Sequence, residues 1–184
     1  MSDAPLAPEY KTALNESARL LQQNEPDEAL AVLKPYLARL PADADLAINV
    51  GGAYILQRKW EKAVGVLKKA AEVNPDNAML WINLAAAELG RLEVAGPQQQ
   101  ARAIDAYQRA LKADPMAPNV HYSLGLIHKE RGELMRASAF FQRALEVNPA
   151  DRDARYWLER IDQLLAETQN LPKADDASTD SPTG

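Results

Sequence analysis

A short phrase returns along this chain at a nearly fixed distance. It reads Ala70-Ala71-Glu72-Val73-Asn74-Pro75, then Ala110-Leu111-Lys112-Ala113-Asp114-Pro115, then Ala144-Leu145-Glu146-Val147-Asn148-Pro149. The closing prolines are 40 and 34 residues apart, and a weaker copy ends at Pro41, 34 before Pro75. Units this short cannot each bury a core, so neighbours must bury one another and the chain must stack. Each proline ends a unit, because the residue before it is pushed out of the helical region. The units are therefore 10–43, 44–77, 78–117 and 118–151.

The composition is 47% hydrophobic over 184 residues, enough for a continuous core, and Ala and Leu dominate it. Both favour helix, so the stacked units are expected to be helical. First helices are predicted near 9–23, 44–57, 78–90 and 118–131. Second helices are predicted near 26–39, 60–73, 98–112 and 134–147, with a final helix over 152–168. Asp43, Asn77 and Asp151 sit where N-caps belong, and Pro26 opens a first turn rich in carboxylate. Unit three carries six extra residues between its helices, within 89–100. They form a binding loop, a neutral surface extension, or an added helical turn from Gln98 to Ala101.

Position by position, the units share a pattern. Unit four supplies His121, Leu124, Gly125, His128, Ala137, Phe141, Ala144 and Pro149. Unit two supplies Ala47, Val50, Gly51, Tyr54, Ala63, Leu67, Ala70 and Pro75, and unit three Trp81, Leu84, Ala85, Glu88, Ala103, Tyr107, Ala110 and Pro115. Unit one is degenerate, keeping Ala29, Leu33 and Pro41. The pattern resembles the tetratricopeptide repeat (TPR) family. That resemblance implies an all-α fold, a right-handed superhelical α-α solenoid of four helix pairs plus a C-terminal capping helix. Residues 9–168 would form it, with the insertion near 90–100, the capping helix at 152–168, a flexible N-terminus at 1–8 and a disordered tail at 169–184. Small residues at Ala63, Ala103, Ala137, Gly51 and Gly125 suit close helix crossings. In the closing helix, Trp157, Leu158, Ile161, Leu164 and Leu165 recur at helical spacing, with Trp157 the expected anchor.

In the family this chain resembles, first helices line a concave groove that takes partner segments. The groove positions carried over residue by residue are mostly apolar. The candidate protein-binding residues are Leu14, Asn15, Ile48, Asn49, Ile55, Met79, Ile82, Asn83, Tyr122, Lys129, Tyr156 and Arg160. Leu14, Ile48, Ile82 and Tyr122 are equivalent and form a stripe, read as a binding surface, as core, or as a self-association surface. Asn15, Asn49 and Asn83 recur every 34 residues and could bond a ligand backbone or simply reflect a shared repeat sequence. A subclass that clamps C-terminal carboxylates would need cations or asparagine where this chain has Leu14, Ala18 and Met79, so that mode is not expected.

The remaining residues exclude much else. With no cysteine, disulfides, thiolate chemistry and Cys-ligated zinc are absent, which fits a reducing compartment. A net charge of −5 without a basic cluster argues against nucleic acid. No signal-like or membrane-spanning stretch is visible, so the expected location is cytoplasmic, without membrane insertion. His121 and His128 occupy packing positions of the pattern rather than a His-Glu-x-x-His motif, and no phosphate loop or paired nucleophile occurs. No catalytic, metal or cofactor residues are therefore assigned. The expected function is a non-enzymatic scaffold or adaptor for a helical or extended apolar segment. A chaperone-like or secretion-associated shield and a homo-oligomeric module are the alternatives.

Overall fold

The period of the apolar residues dictates amphipathic helices, and the turn chemistry dictates where they stop. The computed structural model describes residues 8–169 and contains nine α-helices, with no strand, among them. They are α1 (Pro8–Gln22), α2 (Pro26–Leu37), α3 (Ala44–Leu56), α4 (Trp60–Val73), α5 (Ala78–Leu89), α6 (Pro97–Ala113), α7 (Val120–Glu130), α8 (Leu134–Val147) and α9 (Arg152–Gln169). Pro8 and Gln169, expected in the tails, are the first and last residues of helices. The rest of those expected tails, 1–7 and 170–184, lies outside the described residues.

Caps set the starts. Asp43 accepts a bond from the Leu46 amide at 2.9 Å, Asn77 from Leu80 at 3.2 Å, and Asp151 from Ala154 at 2.9 Å. Each satisfies an amide that the first helical turn leaves open. Asp43 also accepts the Tyr10 hydroxyl at 2.7 Å, tying α1 to the start of α3. Three-residue turns join the helices of units one, two and four. In each of them one residue adopts the left-handed conformation: Asn24, Arg58 or Gly132. Helix α7 starts at Val120 rather than 118, because Asn119 has φ +62° and cannot continue a right-handed helix back into Pro118.

Close approach holds each pair together. Ala63, Ala103 and Ala137 are fully buried at the crossings. A Cβ on Gly51 would lie 2.6 Å from Leu67, and one on Gly125 would lie 2.7 Å from Phe141, so both glycines are required by packing. The deepest large side chains, Leu33, Leu67, Leu80, Leu124 and Phe141, lie between layers. At the C-terminal end, Ala154 and Ile161 are buried against Ala137, Phe141 and Ala144. Trp157 is half-buried at the edge of that cluster, so the deep anchor of α9 is Ile161 rather than Trp157.

The six extra residues of unit three are divided between two places. Helix α6 has 17 residues against 14 in α4 and α8, with the Gln99 side chain accepting from the Gly96 amide just before it. The remainder forms a loop containing a 3-10 turn over Leu92–Val94. That turn touches α7. The first helices α1, α3 and α5 pack directly on one another in sequence, but α5 and α7 do not continue the arrangement closely. Second helices pack on the next unit's first helix rather than on each other. The inner, shorter side of the stack is therefore the first-helix side over α1, α3 and α5.

Candidate protein-binding surface

First helices present three rows to this inner side. Leu14, Ile48 and Ile82 form one row, and Tyr122 continues it on α7. Ala18, Gly52 and Ala86 form a middle row, with Leu126 at the same place in α7. Leu21, Ile55 and Leu89 form the third, with Lys129 in the same row on α7. The small middle row makes a trough with aliphatic walls. Gly52 lies against Leu21, whose Cδ1 would be 3.7 Å from an added Cβ, which is ordinary contact.

The wall residues are neither fully exposed nor core. Leu14, Ile48, Ile55, Ile82 and Tyr122 are half-buried, each leaning on a packed cluster and leaving part of its side chain to solvent. Met79 is 45% exposed and Tyr156 is 59% exposed. Tyr122 rests on Phe141, with ring centroids 5.7 Å apart, and Tyr156 meets Trp157 edge-on at 5.2 Å. The stripe is continuous over α1, α3 and α5. Helix α7, which carries Tyr122, packs less closely on α5 and is touched by the 3-10 turn of the insertion.

Polar positions sort differently from the sequence expectation. Asn15 is exposed. Asn49 donates its amide to the Leu14 carbonyl at 3.0 Å and to Ser17 Oγ at 2.8 Å, so it clamps α3 to α1. Asn83 donates back to the Met79 carbonyl at 2.9 Å within its own helix. Ser123, the equivalent in unit four, is half-buried near Tyr107, whose phenol burial pushes up in pKa while the Ser123 hydroxyl opposes that. Sequence reasoning missed the Asn49 clamp, since its partners come from another unit. Ser17, polar on the buried face of α1, was the available signal.

Charge gathers at the far end. The Lys129 ammonium lies 4.3 Å from the centroid of the Trp157 ring and 3.6 Å from Glu130. Arg160 is exposed and reaches Gln163 at 3.5 Å.

His128 is buried, stacks on Phe140 and bonds Glu133 at 2.7 Å. That bond, with Arg136 and Arg131 nearby, holds the Glu133 carboxyl below its usual pKa. Burial holds His121 below its usual value, and its Nδ1 has no hydrogen-bond partner. Among the described residues no three His, Cys, Asp or Glu side chains group to hold a metal, and no helix is long and apolar enough to cross a membrane. On the opposite, second-helix side, a hollow of about 440 Å³ between α4 and α6 is floored by Trp81, which Arg109 covers at 5.0 Å.

Similarity to known proteins bears on this arrangement. The family descriptions "Tetratricopeptide repeat" and "TPR repeat" match residues 20–89 and 118–151, and 98–132, respectively. The peroxisomal targeting signal receptor of Candida albicans is 30% identical over 96 residues, covering 52% of this chain. The match spans only 15% of that receptor. The crystal structure of MamA superposes with a TM-score of 0.70 at 20% identity, over 82% of this chain and 84% of that one. The first TPR of Spaghetti (RPAP3), solved bound to an HSP90 peptide, superposes with a TM-score of 0.60 at 25% identity, over 68% and 98%.

Proposed function

Because the chain belongs to the tetratricopeptide repeat family, we propose that it is a non-enzymatic scaffold or adaptor that holds an apolar segment of a partner protein. The segment lies in the trough over α1, α3 and α5. The observation that carries this reading is the aliphatic wall of Leu14, Ile48 and Ile82, half open to solvent along a floor of Ala18, Gly52 and Ala86. An apolar strip shared by three successive units is more than scattered surface hydrophobes, and its burial by a partner is favourable at about 25 cal/mol per Å². Met79, Tyr122, Tyr156, Lys129 and Arg160 extend the surface, and Asn15 and Asn83 border it.

The RPAP3 neighbour with its peptide supports peptide holding as a use of this fold. Its ligand chemistry does not transfer, because Leu14, Ala18 and Met79 provide no cation for a terminal carboxylate. The absence of cysteine supports a reducing compartment such as the cytoplasm.

The test is capture of partners by the full chain beside Ile48→Glu/Ile82→Glu. Both isoleucines also lean on the core, so Met79→Glu, at an exposed position, is the companion variant. Loss of captured partners with a retained helical spectrum is the expected result. Retention of every partner by both folded variants overturns the proposal. Light scattering on the same samples distinguishes a monomeric adaptor from a self-assembling module.

A further inference from the structure

We infer that the hollow between α4 and α6 receives an aromatic side chain, tyrosine or tryptophan, from an extended segment of a partner protein. The site faces the second-helix side and is separate from the trough.

The repeat itself indicates what fits there. In unit four the Phe140 ring of α8 lies against two residues of α7, His121 and His128. Its centroid is 6.4 Å from the first ring and 5.1 Å from the second, on which it stacks. The equivalent residues of unit three are Ala106, Trp81 and Glu88. All three line the hollow of about 440 Å³. In unit two Val66 holds the place of Phe140, half-buried against the core. Unit three puts alanine there, so the space that a ring fills in unit four is left as a hollow.

The walls are fixed, and they select the kind of ring. The Trp81 indole is buried, and its Nε1 donates to the Pro75 carbonyl at 2.8 Å. Aromatic rings packed edge-on or offset gain beyond the area they bury. Leu84 and Ala106, both buried, and the exposed Ala101 make up the apolar remainder. Glu88 is the exception. It holds the place of His128, its side chain is 13% exposed, and its Oε2 accepts from Arg102 Nε. A carboxylate offers about four lone-pair sites, so Glu88 can accept a further bond. A ring that brings a donor, a phenol O–H or an indole N–H, therefore suits this place better than a phenyl ring.

Length assigns the source. A second hollow, of about 470 Å³, shares Trp81, Asp105 and Arg109 with the first and continues to Lys112. The depression thus follows α6 from Arg102 to Lys112, about 15 Å at the helical rise. A free aromatic molecule occupies only part of that, whereas an extended segment of about five residues spans it. Lys68, Glu72 and Gln108 are exposed along its border, which leaves the segment's backbone within reach of polar groups and water.

Displayed random peptides about ten residues long test this against the full chain. A binder counts when Ala106→Phe, which copies the unit-four ring into the hollow, weakens it and Met79→Glu in the trough does not. Should Ala106→Phe fail to fold, Ala101→Phe obstructs the rim from an exposed position. The expected binders share a tyrosine or tryptophan. Changing that residue to leucine weakens them about tenfold, and changing it to phenylalanine about threefold. Glu88→Ala should abolish the preference over phenylalanine. Binders with no shared aromatic residue, or none that responds to the hollow variants, overturn the inference. A pool that responds to Met79→Glu alone overturns it while supporting the trough. Free indole or p-cresol that shifts the NMR signals of Ala101 and Ala106, with no peptide binder, replaces the partner by a small molecule and overturns it too.

Discussion

Gly51 and Gly52 are neighbours in one helix with opposite reasons for being small. Leu67 lies where a Cβ on Gly51 would be, and Gly51→Ala is expected to cost about 1–3 kcal/mol, as overpacking does. Gly52→Ala meets only ordinary contact and should gain about 0.5–1 kcal/mol from helix propensity. Urea denaturation of the two variants checks the contrast, and equal effects of one sign would contradict it. His121 belongs to the same scale. Burial first, and Arg143 second, hold its pKa below the ordinary 6.5. As pH falls below 6.5 the unfolded chain takes up the proton before the folded one does. Stability is therefore full above that pH and declines below it, until the folded-state imidazole also titrates. His121→Phe removes both the shifted group and its unpartnered Nδ1, so the Tm of the wild type should fall relative to that of the variant from about pH 7.5 to about pH 5. A difference that stays constant across that range would refute this account.

At the scale of elements, α9 closes the stack through one face. Ile161 and Ala154 bury themselves on Phe141, while Trp157 rides at the edge between Tyr156 and Lys129. Ile161→Ala is expected to cost about 2–4 kcal/mol. Trp157→Ala should cost less than that. Thermal melts of the two rank them, and the reverse order would show that the tryptophan is the anchor after all. The helices themselves were legible in the sequence, because apolar period, proline and N-cap residues all act locally. Asp43, Asn77 and Asp151 cap as their positions imply. The start of α7 was not, since the left-handed Asn119 depends on how the chain leaves α6. The candidate surface was legible as a set of positions but not as a state. Burial of Ile48 depends on α5, and the partners of Asn49 belong to α1, so neither could be read from its own unit.

For the whole molecule, the weakest continuity lies between units three and four. First helices touch directly up to α5, then the Leu92–Val94 turn intervenes before α7. Stacks hold together through nearest-neighbour interfaces, so the thinnest interface is where cooperativity first divides. Native-state hydrogen exchange should show α1–α6 and α7–α9 as two groups of amides with separate opening free energies. A single shared value across all helices would disprove it.

The insertion also changes how the array is joined. In a uniform repeat each first helix rests on the next, and the same interface recurs along the stack. Here α1 meets α3 and α3 meets α5, whereas α7 is joined to unit three chiefly through α6 and the Leu92–Val94 turn. Val120, Leu124 and Ile127 keep the core continuous across that joint. The seam between units three and four is thus made in part by residues that the repeat itself does not supply.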